Sequence, residues 1–291
     1  MSLSIITVTW NSKEKIGRQI ESVRNAAQGL DYEEIIVDNA SSDGTVDFIN
    51  GIASRQLAEK QSPQIKLIAN QTNLGFAAGN NQGLKQAQGD FVLFLNPDMQ
   101  LEPGSLPKIL EWLKNKPNVG LAGCKLVNET GEVNKETGQR RFPTVLNQLA
   151  IIFKLPKIFP AILNSYLMKD FDFNKEQEVE TARGSFMLVR RELLNKLGWC
   201  FDPRYFIWFE DVDLCREIKR LGYKVFYTPV IFCVDFFGQS FKQCDSFWKQ
   251  RNFTLSLFKY FQKWEPWYKW VWIWLGRAII LPLAWAADKL R

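Results

Sequence analysis

The chain has 291 residues, of which 46% are hydrophobic and 23% are charged, and its formal net charge is +6. This composition is typical of a folded globular protein. The charge suits anionic small molecules or a membrane surface and is too small to indicate a nucleic-acid partner. The sequence contains no histidine, which excludes Ser-His-Asp hydrolysis and histidine-ligated zinc. Proton transfer must therefore use carboxylates, Lys, Tyr or Cys, and a metal must be held by oxygen ligands.

The first 70 residues alternate between strand and helix patterns. An apolar, β-rich run over residues 3–10 is followed by apolar residues at helical spacing over 16–27. A second strand is predicted over residues 33–37, a helix beginning near Thr45, and a third strand over residues 65–69. Strands that alternate with helices across tight turns indicate right-handed βαβ units. We therefore expect an α/β fold with a mostly parallel sheet flanked by helices.

Acidic residues follow two of the predicted strands. The uninterrupted apolar run FVLFL, residues 91–95, is typical of a strand buried on both faces, and it stops at Asn96-Pro97-Asp98. Asp38 follows the second strand in the same way. Ligands of open α/β sheets bind outside the carboxyl ends of strands. Asp98 there is a candidate Mg²⁺ or Mn²⁺ ligand and Asp38 a candidate acceptor for nucleotide hydrogen bonds, although both carboxylates could simply shape their turns.

Residues 70–89 are rich in glycine and asparagine, and Asn80 and Asn81 are adjacent within them. The pattern matches neither a Walker loop nor a dinucleotide fingerprint. Glycines allow close backbone approach and amides can bond hydroxyls or phosphates. This stretch is therefore only a weak indication of ligand binding.

A second acidic cluster lies late in the chain. Glu210, Asp211 and Asp213 begin an amphipathic helix and follow the aromatic residues Trp208 and Phe209. Acids at a helix N-terminus stabilise the helix by about 0.3–1 kcal/mol each, which is one explanation. Three acids in four residues exceed that need, so one of them is a candidate for proton transfer.

The region before this cluster is less regular. Residues 128–180 lack clear periodicity, and we interpret them as a flap on the acceptor side or a solvated insertion. A strand is predicted over residues 181–191, entered through Gly184 and Ser185. We place Gly184, Ser185, Trp208 and Glu210 on the acceptor side of the site.

The C-terminal residues 265–291 are rich in tryptophan. Residues 270–287 are apolar except for Arg277, which is the lower limit of length for a spanning helix. Tryptophan together with Lys and Arg suits the membrane interface better. We predict a segment that lies on the membrane, with a helix packed on the protein's own core as the alternative. The five cysteines show no paired spacing, which indicates a reducing compartment.

Six motifs occur in order along residues 3–240: ITVTWNS, IIVDNASSDGT, NLGFAAGNNQGL, FVLFLNPD, RGSFMLVRRE and FIWFEDVDLC. Together they resemble the family 2 glycosyltransferases, in particular the branch similar to bacterial rhamnosyltransferases. The resemblance implies a GT-A fold, a nucleotide-sugar donor, a divalent metal and inversion at the anomeric carbon. It places Thr9 and Asp38 at the base and ribose, and Asn80 and Asn81 near the donor.

The same resemblance assigns the chemistry. Asn96-Pro97-Asp98 corresponds to a variant of the metal-binding DxD motif, and Asp211 corresponds to the general base. The family has a histidine after the late strand predicted over residues 224–234, and this chain has Asp235 there. Because Asn96 removes one carboxylate from the motif, we expect Asp235 to join Asp98 in holding Mg²⁺ or Mn²⁺. The alternative is that Asp235 points to solvent.

The sequence therefore predicts a GT-A catalytic domain over residues 1–240 and a helical, membrane-associated segment over residues 241–291. The predicted function is inverting transfer of a sugar, with rhamnose favoured, from a dTDP- or UDP-sugar to a lipid-linked or polysaccharide acceptor of the cell envelope. We expect a cytoplasmic protein, peripheral at the inner face of the membrane. The alternatives are a sugar-nucleotide pyrophosphorylase and a non-catalytic nucleotide-sugar-binding protein.

Overall fold

The computed structural model describes residues 2–58, 65–133, 139–236 and 244–289. Its strands are β1 (Ser2–Thr9), β2 (Asp31–Asp38), β3 (Ile65–Ala69), β4 (Phe91–Leu95), β5 (Met99–Leu101), β6 (Val119–Val127), β7 (Gln177–Glu178), β8 (Phe186–Arg190) and β9 (Lys224–Asp235). Its α-helices are α1 (Lys13–Ala26), α2 (Thr45–Ala58), α3 (Phe76–Gln86), α4 (Ser105–Lys114), α5 (Val145–Ile152), α6 (Arg191–Leu197), α7 (Glu210–Arg220), α8 (Ser246–Trp264) and α9 (Trp267–Lys289).

The strands of the described residues form one sheet in the order β3-β2-β1-β4-β8-β6-β9-β5, with β7 paired to β9. The first four strands are parallel, as the alternating sequence pattern predicts. Strand β8 then runs antiparallel to both β4 and β6, so the second half of the sheet is mixed. The parallel half brings the carboxyl ends of β1, β2 and β4 to one edge, where their polar turns meet.

Strand β4 is buried along its whole length because both sheet faces are covered. Its Val92 and Phe94 join a core shared with α3, α7 and α8. Its Phe91, Leu93 and Leu95 join a second core shared with α1 and α4. Burial of side chains of this size contributes about 1.5–3 kcal/mol each, which explains the uninterrupted apolar sequence.

Helix α5 is a regular element within the stretch for which the sequence indicated no periodicity. Thr144 and Asn147 form a capping box at its start, with Asn147 Oδ1 accepting from Thr144 N at 3.0 Å. Short 3₁₀ turns follow over Leu155–Lys157 and Pro160–Leu163. The prediction of irregular structure was therefore wrong over residues 145–163.

The C-terminal helices α8 and α9 form an antiparallel pair. Their rings meet near the connecting turn, where Phe258 and Trp270 lie 5.6 Å apart, and Phe247 N donates to Asp288 Oδ2 at 2.6 Å at the opposite end. Leu257 of α8 and Ile273 of α9 belong to the same hydrophobic core as Val92 and Phe94 of β4. The domain boundary predicted at residue 240 falls outside the described residues. By length and composition, α9 is the one described helix that could cross a membrane.

Candidate active site

Two adjoining cavities open at the edge where β1, β2 and β4 end. The larger has a volume of about 550 Å³ and is lined by eight of the residues singled out from the sequence, which are Asn96, Asp98, Gly184, Ser185, Trp208, Glu210, Asp211 and Asp235. The smaller has a volume of about 100 Å³. Phe76, Asn96 and Ile207 line both cavities, so the two are contiguous. The structure thus gathers most of the predicted site at one place.

Asp211 faces the larger cavity from the first turn of α7. Its Oδ2 accepts a hydrogen bond from the backbone N–H of Gly184 at 3.0 Å, and its Oδ1 accepts one from Val212 N at 2.8 Å. A Cβ atom at position 184 would lie 3.2 Å from both Cβ and Oδ2 of Asp211. A glycine is therefore needed there for the β8 entry to approach this carboxylate closely.

Glu210 lies beside Asp211 and is buried, and its Oε2 has no hydrogen-bond partner among the described residues. Burial, together with the charges of Asp211 and Asp213, raises the pKa of Glu210 well above its usual range. Burial thus favours the neutral form of Glu210. Of the two adjacent acids that line the cavity, Asp211 is the one suited to accept a proton.

The backbone that leads into α7 is strained. Trp208 and Phe209 have φ angles of 67° and 70°, in the left-handed region that costs a residue with a side chain about 1–2 kcal/mol. Both rings pack on α8, since Phe253 lies 6.2 Å from Trp208 and 5.4 Å from Phe209. Ser256 Oγ also donates to the carbonyl of Ile207 at 2.7 Å. Helix α8 thus holds the loop that presents Asp211.

Asp213, the third acid of the cluster, has a structural role. Its Oδ2 accepts from Lys263 Nζ at 2.7 Å, and its Oδ1 accepts from Trp264 Nε1 at 2.6 Å. Lys263 also contacts Asp202 at 2.9 Å and Glu217 at 2.8 Å. This buried cluster joins α7 to α8, so Asp213 is not available for chemistry in the cavity.

Asp98 and Asp235 lie close together in the lining of the larger cavity. Antiparallel pairing of β5 with β9 sets Met99 opposite Asp235, and the Asp98 carbonyl accepts from Phe236 N at 3.3 Å. Both side chains are only 8% exposed. Burial raises the pKa of Asp98, and burial and the charge of Asp98 raise that of Asp235 to about 6. Two buried carboxylates that repel each other fit a divalent cation.

The described residues contain no cluster of three or more acidic or thiol side chains that could hold a metal. A cation at Asp98 and Asp235 would therefore complete its coordination with substrate or water oxygens. Hard oxygen ligands in this number suit Mg²⁺ or Mn²⁺. The residues present thus fit the predicted cation.

Arg183 is a cavity residue that sequence reasoning missed. Burial and the nearby Arg140 lower its pKa to about 10, against the charges of Asp211 and Asp235. It therefore stays cationic at neutral pH and lies near both Asp211 and Asp235. Its position directly before Gly184 and Ser185 was the available signal, since a basic residue at a strand entry next to a site suits an anionic ligand.

The comparisons with known proteins agree with this geometry. A model described as glycosyl transferase family 2 matches residues 4–198, more than half of the chain. The chain belongs to glycosyl transferase family 2. The predicted family is therefore confirmed, and with it the prediction of a glycosyltransferase. Membership favours sugar transfer over the pyrophosphorylase alternative.

Two relatives of this glycosyltransferase are rhamnosyltransferases. The N-acetylglucosaminyl-diphospho-decaprenol L-rhamnosyltransferase of Mycobacterium tuberculosis is 26% identical over 240 residues, which cover 78% of this chain and 73% of the relative. Rhamnosyltransferase WbbL of Escherichia coli is 26% identical over 169 residues, which cover 56% of this chain and 61% of the relative.

A solved structure with a similar fold is that of a mannosyltransferase from Pyrobaculum calidifontis in complex with GDP-Man and Mn²⁺. It has a TM-score of 0.60 and 20% sequence identity to this glycosyltransferase, with coverage of 98% of this chain and 73% of that one. The predicted GT-A fold with a C-terminal helical extension is confirmed.

Three residues predicted to bind the nucleotide lie away from the two cavities of this glycosyltransferase. Asp38 is fully buried, and its carboxylate accepts from Thr9 Oγ1 and from Ser41 N, both at 2.8 Å. Thr9 itself lines the smaller cavity, and so does Asn39, which sequence reasoning passed over. Asp38 therefore shapes this wall through Thr9.

Asn80 and Asn81 are the other two residues, and both have structural partners. Asn80 Nδ2 donates to the Phe76 carbonyl at 2.9 Å within α3. Asn81 binds the backbone at positions 200 and 201, where its Oδ1 accepts from Cys200 N at 2.9 Å and its Nδ2 donates to Phe201 O at 2.6 Å. They fix α3 against the chain that precedes α7, and their predicted donor contacts stay predictions.

Proposed function

We propose that this enzyme transfers a sugar, with rhamnose favoured, from a dTDP- or UDP-sugar to a hydroxyl of a lipid-linked or polysaccharide acceptor in cell-envelope glycan synthesis, with inversion. The observation that carries the proposal is the Asp211 carboxylate, which faces the same cavity as the buried Glu210, Asp98 and Asp235. The names of the two rhamnosyltransferase relatives support the sugar, and the name of the Mycobacterium tuberculosis relative supports the lipid-linked acceptor.

In this proposal Asp211 removes the proton of the acceptor hydroxyl as the oxygen attacks the anomeric carbon. The N–H groups of Gly184 and Val212 each bind one oxygen of the carboxylate and orient it, and each oxygen keeps a further lone pair that can accept the proton. Asp98 and Asp235 would hold Mg²⁺ or Mn²⁺, which supplies positive charge to the departing diphosphate when bound. Arg183 adds a positive charge to the same cavity, near both Asp211 and Asp235.

The donor base and ribose are assigned to the smaller cavity. Thr9 and Asn39 line it with polar groups, and Phe206 and Trp248 supply aromatic surface. Asn96 lies between the two cavities, where the diphosphate would join nucleoside and sugar. This arrangement is consistent with a donor that extends from the β1 edge towards Asp98.

The enzyme is further proposed to act as a cytoplasmic protein bound peripherally at the inner membrane face. Helix α9 exposes Trp267, Trp272, Trp274 and Trp285 to solvent. It lies along α8, whose Lys249, Arg251 and Lys259 would be carried into hydrocarbon if α9 crossed the bilayer. Placing charges there is costly, so a helix that lies in the interface is favoured.

The test of the proposed base compares two adjacent isosteric changes. Asp211→Asn removes the proton acceptor and is expected to lower turnover by about 10²–10⁴. Glu210→Gln keeps the size and shape of the neighbouring side chain and is expected to keep turnover within about tenfold, because Asp211 remains as the proton acceptor. Nucleotide affinity, measured by calorimetry, should be unchanged in both. Parental turnover by Asp211→Asn would overturn the assignment.

The test of the metal site uses nucleotide binding in place of turnover. Asp235→Ala is expected to weaken binding of the nucleoside diphosphate strongly in the presence of Mn²⁺ and little in its absence. The reason is that a carboxylate helps the diphosphate only through a cation between them. Equal losses with and without Mn²⁺ would show that Asp235 does not hold the metal.

A further inference from the structure

The stretch that follows the α5 cap exposes large apolar side chains. Leu146 is 82% exposed, Ile158 is 70% exposed and Phe159 is 60% exposed, and Phe153 and Ile162 are exposed as well. Contiguous apolar surface of this kind marks an interaction site in a soluble protein. None of these five side chains lines the larger cavity.

This surface continues onto α9. A Cβ atom at Gly276 would lie 2.8 Å from Leu149 of α5 and 3.8 Å from the ring of Phe153, so the two helices are in close contact. Phe153 is exposed at this junction, and Trp272, Ile279 and Leu283 of α9 are exposed as well. We call the exposed apolar side chains of residues 145–163 and of α9 the apolar face.

The segment that contains α5 is basic. Residues 140–169 contain the basic residues Arg140, Arg141, Lys154, Lys157 and Lys169, and no Asp or Glu. Lys154 and Lys157 are exposed among the apolar side chains. A second copy of this chain would bring like charges together at this face. A bilayer with anionic headgroups has the complementary charge, worth about 1 kcal/mol for each lysine near its surface.

The same segment forms a wall of the larger cavity. Gln148 and Ile151 of α5 line that cavity, together with Leu163, Tyr166 and Leu167. Leu149 and Ile152 point to α9, and Leu146 and Phe153 point to solvent. Helix α5 therefore has the cavity on one side and the apolar face on another.

We propose that residues 145–163 are a second membrane-binding element, which docks with α9 as one apolar face on an anionic phospholipid bilayer. Docking places the cavity next to the membrane across a single helix. If the proposed function holds, the accepting hydroxyl on the terminal sugar of a lipid-linked acceptor reaches Asp211 past Ile151 and Leu163 while its lipid stays in the bilayer. The docking itself does not depend on that function.

The experiment measures flotation of the full chain with vesicles that contain about one third phosphatidylglycerol. The double change Ile158→Glu with Phe159→Glu is expected to lower binding at least about tenfold, because it forces two carboxylates towards hydrocarbon. The matched control is Leu57→Glu, an equally exposed leucine, 61% exposed, on α2 at the β3 edge of the sheet. The control should bind like the parent.

A second pair of changes tests the charge. Lys154→Gln and Lys157→Gln should each lower binding to the anionic vesicles about fivefold, the factor that corresponds to about 1 kcal/mol. Vesicles of phosphatidylcholine alone should bind the parent more weakly and show little effect of these changes. Added salt should weaken binding to the anionic vesicles.

Several outcomes would overturn the proposal. They are parental binding by the Ile158→Glu, Phe159→Glu chain, failure of the parent to bind anionic vesicles, or a dimer of the parent that these changes dissociate. Circular dichroism establishes that the variant is folded. Transfer to a short-chain, water-soluble acceptor should stay parental in this variant. Absence of that transfer in the parent would instead contradict the proposed function.

Discussion

Replacing Lys263 by methionine should destabilise the protein strongly. Its ammonium contacts three carboxylates, those of Asp202, Asp213 and Glu217, at 2.7–2.9 Å. The Lys263 side chain is 13% exposed and that of Asp213 is fully buried. Removing one partner of a buried ion pair costs about 3–5 kcal/mol because the remaining charge is uncompensated. We expect a loss in this range, measured as the free energy of unfolding in urea at neutral pH.

The pH dependence of that loss is the sharper test. Burial raises the pKa of Asp213 even with Lys263 in place, and removal of the lysine charge should raise it further. A folded-state pKa above the unfolded value favours folding at low pH and loses that contribution as pH rises through it. The deficit of Lys263→Met should therefore be small near about pH 4 and grow towards pH 7.

The control is Lys259→Met, one turn earlier on α8, where Nζ donates to the Arg204 carbonyl at 2.6 Å and forms no ion pair with a carboxylate among the described residues. It should cost far less than Lys263→Met at every pH, since no buried carboxylate loses its partner. A deficit for Lys263→Met below about 1 kcal/mol, or one independent of pH, would refute the reasoning.

Three further changes are predicted. Burial raises the pKa of Glu34 to about 8, so the stability that Glu34 contributes in its neutral form is lost as pH rises from about 4.5 to about 8. Glu34→Gln should therefore raise the free energy of unfolding by about 3–5 kcal/mol above pH 8 and change it little below pH 5. Glu33→Gln should instead destabilise at neutral pH, because Glu33 accepts from Ser4 and Lys66, and equal responses of the two variants would contradict this. Gly184→Ala should lower turnover about tenfold in steady-state assays with unchanged nucleotide affinity, because the added Cβ displaces Asp211. Parental turnover would show that the added Cβ fits without moving Asp211.

The sheet could be predicted well from the sequence where strands are buried on both faces. The apolar run over residues 3–10 was predicted as a strand and covers most of β1, and the apolar run FVLFL forms β4. Helix α5 was missed for a physical reason. Its sequence VLNQLAII is apolar on nearly every side, because it faces the cavity, α9 and the exposed apolar face at once. The sequence of α5 therefore shows no amphipathic periodicity from which a helix could be predicted.

The candidate site was predictable where backbone topology decides which residues meet. Asp98 and Asp235 come together because β5 pairs with β9, and Asp98 follows a strand whose end could be predicted. Asn80 and Asn81 could not be placed in this way. The direction of their side chains depends on a contact with residues 200 and 201, some 120 positions later in the chain. Spacing within a motif contains no information about that contact.

The geometry of the base and the C-terminal helices depend on each other. Trp208 and Phe209 hold a backbone conformation that costs about 1–2 kcal/mol each, and the conformation persists only if packing elsewhere offsets that cost. The packing comes from α8, through Phe253 and the Ser256 hydrogen bond to the Ile207 carbonyl. Because α9 lies along α8 from the connecting turn to Asp288, a force that moves α9 must also act on the support of Asp211. Binding of the apolar face to a membrane would therefore affect the position of Asp211 as well as the location of the enzyme.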